Sequence, residues 1–316
     1  MNVSTDSGRL VIGTRGSPLA LVQANMVRDL LLEAHPGIDV ALSVIKTSGD
    51  RILNQPLSES GGKGLFTKEI EEEMLAGSID IAVHSMKDMA TILPDGLAVP
   101  CMLAREDPRD VLLTGISGVE GIKDLPQGAV AGTASLRRKA QVLNLRPDIS
   151  VVPMRGNVGT RMAKLAAGEV DAAFLALAGL KRLGLAHEAK IILPVDEMLP
   201  AVAQGAIGIE CRAHDETALA ALEPLNHALT TTAVAAERAL LAGLDGSCRT
   251  PIAALARITD DGILELTARV VAPDGSVRFD VTRSGPQAHA EALGRDAAAE
   301  LRGRAGEAFF AALGGA

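Results

Sequence analysis

Three kinds of residue in this chain could do chemistry together. They are a thiol in an open turn, arginines in loops that start helices, and a Lys-Asp pair at a strand end. Cys248 sits in Leu244-Asp245-Gly246-Ser247-Cys248-Arg249-Thr250-Pro251, a small-residue turn after a helix-like run. That is where a thiol is placed if something must reach it. Cys101 and Cys211 lie in apolar runs that read as buried. The arginines fall in Thr14-Arg15-Gly16-Ser17, Gly132-Thr133-Ala134-Ser135-Leu136-Arg137-Arg138 and Arg155-Gly156-Asn157-Val158-Gly159-Thr160-Arg161. Arginine offers a planar fork that matches carboxylate or phosphate. A helix N-terminus adds free N–H groups and a partial positive charge. One such cluster reads equally well as a surface ion pair, but three of the same design point to a polyanionic ligand. A reachable thiol beside them points to covalent chemistry on it.

Lys87-Asp88 follows the apolar run Ile79-Asp80-Ile81-Ala82-Val83, at the carboxyl edge where α/β proteins bind ligands. Two readings of Asp88 stay open: ion-pair partner of an arginine, or stabiliser of a cation formed during reaction. His84 adjoins this pair, whereas His187, His214 and His227 are scattered. Gly61-Gly62-Lys63-Gly64 lacks the upstream Gly spacing and the following Ser or Thr of a phosphate loop. No dinucleotide fingerprint follows a strand, and no His/Cys/Asp spacing looks like a zinc site.

The elements that must position these groups alternate. Leu10–Gly13, Val40–Ile45, Ile79–Val83, Ala129–Ala131, Val151–Met154 and Ala172–Leu177 read as strands, and residues 207–211 read as one that returns to the first sheet. Ser17-Pro18 opens a helix to Leu32, Thr67–Ala76 forms another ended by Gly77, and Ser135 and Asn157 cap two more. From about residue 228 the texture changes. A helix over Thr232–Leu241 precedes the cysteine turn. Strands over Ile252–Ile258, Ile263–Val271 and Ser276–Thr282 are joined by Asp260-Asp261-Gly262 and Pro273-Asp274-Gly275 turns. A last helix is predicted over Pro286–Leu313. The expected division is a discontinuous α/β domain over 1–104 with 200–225, a second over 105–199, and a small α+β domain over 226–316.

The 316 residues suffice for such a division and are 47% hydrophobic and 22% charged, as in ordinary globular proteins. Aromatics are 2% and net charge is -8, which argues against nucleic acid as a partner. Three cysteines without paired spacing suit a reduced, cytoplasmic protein. The first nine residues lack the apolar stretch of a signal peptide, and no apolar run reaches membrane-spanning length.

Taken in order, the motifs above closely resemble the porphobilinogen deaminase (hydroxymethylbilane synthase) family over nearly the whole chain. The others that carry it are Gly61–Phe66, Ala82–Asp88, Ala178-Gly179-Leu180-Lys181-Arg182-Leu183 and Gln204–Glu210. The resemblance implies two doubly wound, periplasmic-binding-protein-like α/β domains plus the small C-terminal α+β domain. It implies a monomeric transferase that condenses four porphobilinogen molecules and releases four ammonia, with no metal, nucleic acid or membrane involved. One dipyrromethane cofactor per chain is thioether-linked to a cysteine, by motif match Cys248. Asp88 matches the catalytic carboxylate. Lys87, Ser135, Arg137, Arg138 and Arg161 match cofactor binders, and Arg15, Ser17, Arg155, Arg182 and Gln204 match substrate binders. Lys63 and Phe66 lie on or beside a polar Gly-rich segment suited to a lid. Met89-Ala90, Ala203 and Ser247 depart from the common Val-Pro, Gly and Gly, leaving hinge geometry and rates open. The competing reading is a two-lobed anion-binding module without catalysis, which gives Cys248 and the third domain no task.

Overall fold

The computed structural model describes residues 9–51, 67–246 and 250–314. Among these, one compact unit holds 9–51, 67–105 and 206–231, and a second holds 106–205, 232–246 and 250–314. The chain begins with β1 (Arg9–Arg15), α1 (Pro18–Ala34), β2 (Asp39–Ile45), α2 (Ser48–Arg51), α3 (Lys68–Leu75), β3 (Ile81–Ser85) and β4 (Leu97–Met102). Next come β5 (Asp110–Thr114), β6 (Val130–Gly132), α4 (Leu136–Leu145), β7 (Ser150–Val152), α5 (Val158–Ala166), β8 (Ala172–Ala176), α6 (Leu177–Arg182) and β9 (Ile191–Ile192). After these follow β10 (Ile207–Arg212), α7 (Glu216–Leu222), α8 (Ala228–Gly243), β11 (Ile252–Ile258), β12 (Ile263–Val271), β13 (Arg278–Pro286), α9 (Ala290–Ala305) and α10 (Glu307–Gly314).

In the first unit the sheet order is β2-β1-β3-β10-β4, with β10 antiparallel to both neighbours. The late strand therefore returns to the first sheet as the sequence predicts. Residues alternate between faces along each strand. Leu10 and Ile12, Ile81 and Val83, and Ile207 and Ile209 meet Ala24, Val27 and Leu31 of α1 on one face. Ala82 meets Ile70 and Met74 of α3 on the other. Parity therefore places His84, two residues after Ala82, and Glu210 on the α3 face. β4 is hidden in the sequence by Pro100, which the sheet tolerates because β4 is an edge strand.

The second unit contains a sheet of order β7-β6-β8-β5-β9 and a three-stranded antiparallel sheet β11-β12-β13. Leu112, Ala131 and Phe174 pack with Val142 of α4, while Val111, Ala173 and Leu175 pack with Val158 and Met162 of α5. Asp110 shares the parity of Leu112 and so lies on the α4 face. The expected hairpins form, β11 with β12 and β12 with β13. Some bounds differ from expectation. The third hairpin strand runs on to Pro286, at the free edge of its sheet, where a missing N–H is tolerated. The last predicted helix is two helices, broken at Gly306, whose φ is +82°. The helix before the cysteine turn begins earlier, at Ala228. No described helix is long and apolar enough to cross a membrane.

Candidate active site

The first unit carries a small cleft, about 70 Å³, at the ends of β1 and β3. Its lining includes Arg15, Ser17, Gln23, His84, Ser85 and Asp88. Arg15 ends β1, and Ser17 caps α1, its side chain accepting a hydrogen bond from the Ala20 N–H at 3.3 Å. Gln23, 2% exposed, donates to Ser85 Oγ at 2.9 Å and so ties α1 to the end of β3. Asp88 closes a single 3-10 turn, Met86–Asp88, and is exposed, while Lys87 beside it is half-buried. The turn is seated by Met86, whose N–H donates to the Ala206 carbonyl at 3.1 Å. A Cβ on Gly208 would fall 2.1 Å from Met86 Sδ, so any side chain there would displace the Met86 side chain that seats the turn. Met89, one of the departures, is buried and lines the same cleft.

Beneath the cleft lies a polar cluster that sequence reasoning missed. His84 Nε2 is 2.9 Å from Glu210 Oε2, with both side chains buried. Glu210 Oε1 has no hydrogen-bond partner among the described residues. Burial, then the neighbouring charge of Glu210, pushes the Glu71 carboxyl above its ordinary value, with His84 pulling the other way. The available signal was a carboxylate inside the apolar run Ile207-Gly208-Ile209-Glu210-Cys211, since buried charges need partners.

A second group forms in the other unit around Asp110, which is fully buried. Ser135 caps α4 by accepting from the Arg138 N–H at 3.4 Å, which turns the first helical residues toward β5. Arg138 donates to Asp110 Oδ1 through Nη2 at 2.7 Å and Nε at 3.2 Å, and through Nη1 to the Phe174 carbonyl at 2.9 Å. Arg137 Nη1 lies 2.7 Å from Asp110 Oδ2 and donates to the Leu199 carbonyl at 2.7 Å. The Arg137–Oδ2 contact is an ion pair, and Arg137 Nε has no hydrogen-bond partner among the described residues. Gln204, 1% exposed, donates to Asp110 Oδ1 at 3.0 Å and to the Pro108 carbonyl at 2.7 Å. Burial alone would push the Asp110 carboxyl up, but the two guanidiniums overturn this and hold it well below the carboxylate range.

Arg182 joins the group through Gly205, donating to its carbonyl at 2.6 Å, and burial pulls its guanidinium down from its ordinary value. Gly205 has φ +90°, and a Cβ there would meet the Glu106 carbonyl oxygen at 2.3 Å. Ala203, where glycine is common, is also left-handed at φ +57°. Its N–H donates to the buried Glu237 carboxylate at 2.5 Å. Arg155 and Arg161 stand at the β7–α5 junction, where Asn157 caps α5 and Arg161 Nε donates to the Gly156 carbonyl at 2.9 Å.

Arg15, Ser17 and Asp88 thus share one cleft, with Lys87 adjacent in the chain, and Ser135, Arg137, Arg138 and Gln204 gather on Asp110. Cys248, Lys63 and Phe66 lie outside the described residues. Cys101 and Cys211 are buried, and burial raises their thiols to about 12 and about 11. No group of three or more His, Cys, Asp or Glu side chains among the described residues is placed to hold a metal ion.

The family model for the porphobilinogen deaminase dipyromethane cofactor binding domain matches residues 10–220, and that for the porphobilinogen deaminase C-terminal domain matches 231–303. The chain belongs to the porphobilinogen deaminase family. It is 54% identical over 307 residues to the porphobilinogen deaminase of Nitrobacter winogradskyi, covering 96% of each chain. It is 52% identical to the chloroplastic porphobilinogen deaminase of Oryza sativa subsp. japonica, covering 96% of this chain and 86% of that one. Among solved structures, the periplasmic aliphatic sulphonate binding protein of Escherichia coli is similar at 17% identity and a TM-score of 0.42. That match covers 75% of this chain and 70% of the other.

Proposed function

We propose that this chain condenses four porphobilinogen molecules head to tail, releases four ammonia and hydrolyses off the linear tetrapyrrole hydroxymethylbilane. The observation that carries this reading is the cleft in which an exposed carboxylate, Asp88, is set beside Arg15 and a helix N-terminus. Loss of ammonia from porphobilinogen leaves an electrophilic methylene conjugated to a pyrrole cation. A carboxylate at the ring nitrogen stabilises that cation. The arginine and the capped helix hold the acetate and propionate that each pyrrole carries.

The residues around Asp110 fit an acidic cofactor. Two buried guanidiniums face one carboxylate, and the buried Arg137 Nε has no partner among the described residues. When bound, the dipyrromethane supplies the primer on which the chain is built. In this reading Arg137, Arg138, Ser135, Lys87 and Arg161 bind its carboxylates. Arg15, Ser17, Arg155, Arg182 and Gln204 bind substrate and growing chain. The cofactor is a single one per chain, thioether-linked to Cys248. The raised, buried thiols of Cys101 and Cys211 support that choice, since the thiolate is the nucleophile. A cytoplasmic monomer is part of the same proposal, as are the three domains with divisions near 104, 199 and 225.

Intact-protein mass before and after incubation with porphobilinogen tests the reading. The expected result is a covalent dipyrromethane on the wild type, further mass steps of one pyrrole unit with substrate, and no adduct on folded Cys248→Ala. An adduct on Cys248→Ala overturns the attachment site, and wild type without mass steps overturns the reaction.

A further inference from the structure

Asp88 is asked for two incompatible services if it acts alone. It must remain an anion to stabilise the pyrrole cation, yet each condensation also moves a proton. The C–N bond of porphobilinogen breaks with its electron pair leaving on ammonia. The new C–C bond forms between the methylene and the α-carbon of the acceptor pyrrole. That carbon then loses its proton, the ring keeps the electron pair, and the proton count closes when ammonia leaves as ammonium. A group that takes up the ring proton is needed while the carboxylate stays charged. Enzymes solve such conflicts by giving paired titratable groups different environments.

We propose that His84, held by Glu210, is that proton acceptor in the Asp88 cleft. The inference rests on the reading of the cleft given above. His84 lines the same cleft as Asp88, four residues upstream in the chain. Its Nε2 is fixed 2.9 Å from a carboxylate that is itself buried. An ionised carboxylate there makes Nε2 the donor and leaves Nδ1 as the basic nitrogen, the same orientation logic by which a buried acid sets up a catalytic histidine. The charged groups that face the ring or its cleft are Glu210 on β10, Glu71 on α3, Asp88 in the turn after β3 and Arg15 at the end of β1, with Lys87 next to Asp88 in the chain. Glu210 Oε1, buried and without a partner among the described residues, keeps the pair from being a closed structural ion pair. Packing alone explains neither a histidine nor a glutamate on the face where Ala82 meets Ile70 and Met74.

The test uses the cofactor-loaded protein and porphobilinogen deuterated at its free α-position. From the second addition onward the acceptor carbon then carries deuterium. In His84→Asn the expected result is near-normal ammonia release in the first turnover, chain extension slowed about a hundredfold, and a primary isotope effect that the wild type lacks. Glu210→Gln keeps an acceptor for Nε2 but removes the charge. Its pH–rate limb should move to lower pH while ring-proton loss still proceeds. In protein without cofactor, ¹⁵N-histidine spectra should show the Nε2–H tautomer for neutral His84. An unchanged isotope effect and pH profile in His84→Asn overturns the proposal. If His84→Asn does not fold, an unmoved limb in Glu210→Gln overturns it instead. Asp88→Asn separates the two failures. Normal ammonia release in that variant sinks the cleft reading itself, whereas slow release there with no isotope effect in His84→Asn sinks only the role of His84.

Discussion

The two five-stranded sheets place a buried carboxylate at matching points and then treat it differently. In each, a strand antiparallel to both neighbours carries the acid: Glu210 on β10 and Asp110 on β5. Each acid faces the helix that covers that side of its sheet. Asp110 meets two guanidiniums that stay charged at any working pH, and its own carboxyl is held down by them. Glu210 meets an imidazole, a ring that can both donate and accept a proton, and a neighbouring glutamate that burial pushes up. Permanent charges suit a site that must hold the same carboxylates throughout a reaction. A titratable pair suits a site where protons move.

Asp110→Asn is the largest expected break in this contrast. It leaves two buried cations without a counter-charge, and removing one partner of a buried ion pair costs roughly 3–5 kcal/mol. Denaturant unfolding at pH 7 measures it. The sign with pH follows from the depressed carboxyl. Its stabilisation is present above the ordinary value of 3.8 and is lost as pH falls through the folded value, so wild type and variant converge in acid. A variant as stable as wild type at pH 7 would mean that the arginines do not depend on Asp110.

Asp88→Asn comes next and reads the other region. It keeps size and a hydrogen-bond acceptor but loses charge. A comparable electrostatic stabiliser is worth about a hundredfold in rate. Asp88 is exposed, so the melting temperature should barely move while single-turnover ammonia release slows. A destabilised variant with normal release would make Asp88 a structural partner of an arginine, the reading that the sequence left open.

These regions were unequally legible in the sequence. Ser17, Ser135 and Asn157 announce helix starts through local signals, and each makes the expected cap. The arginines beside them were therefore placed correctly at strand–helix junctions. Asp110 directly follows the charged stretch Arg105–Arg109 and shows no local signal of its own, because its partners lie 27 and 28 positions away in Arg137 and Arg138. Glu210 shows no partner within its own motif, since His84 is 126 positions distant. Charge pairs across a sheet are products of topology, which no local pattern carries. β4 shows the converse, a real strand masked by a local signal, Pro100, that edge position makes harmless.

Glu71→Gln sharpens the comparison with a smaller effect of opposite sign to that of Asp110. A carboxyl raised by burial contributes stability that is present below its unfolded value and lost as pH rises through the folded one. Replacing it with a neutral amide should flatten that loss. The variant should therefore gain on wild type as pH rises above 4.5, the ordinary carboxyl value, in paired unfolding measurements. A gain that is instead largest in acid would show that Glu71 is held charged in the folded protein.

The smallest expected effect is at Ala203, which precedes Gln204 and so bears on how firmly the Asp110 group is anchored. Its φ of +57° is a left-handed conformation that costs an L-residue roughly 1–2 kcal/mol, which Ala203→Gly would relieve. Two terms oppose the gain. Glycine loses about 0.4–1 kcal/mol more chain entropy on folding. The Ala203 methyl is fully buried, and a buried CH₂-sized group is worth about 0.8 kcal/mol. The terms nearly cancel, so the change in unfolding free energy should stay within about 1 kcal/mol of zero. The backbone N–H that donates to Glu237 is kept, and Gln204 should hold Asp110 as before. Denaturant midpoints at fixed pH decide the matter. A loss well beyond that range would mean that the methyl is packed into the support of the Asp110 group, making this departure from glycine part of the anchor and not merely a tolerated strain.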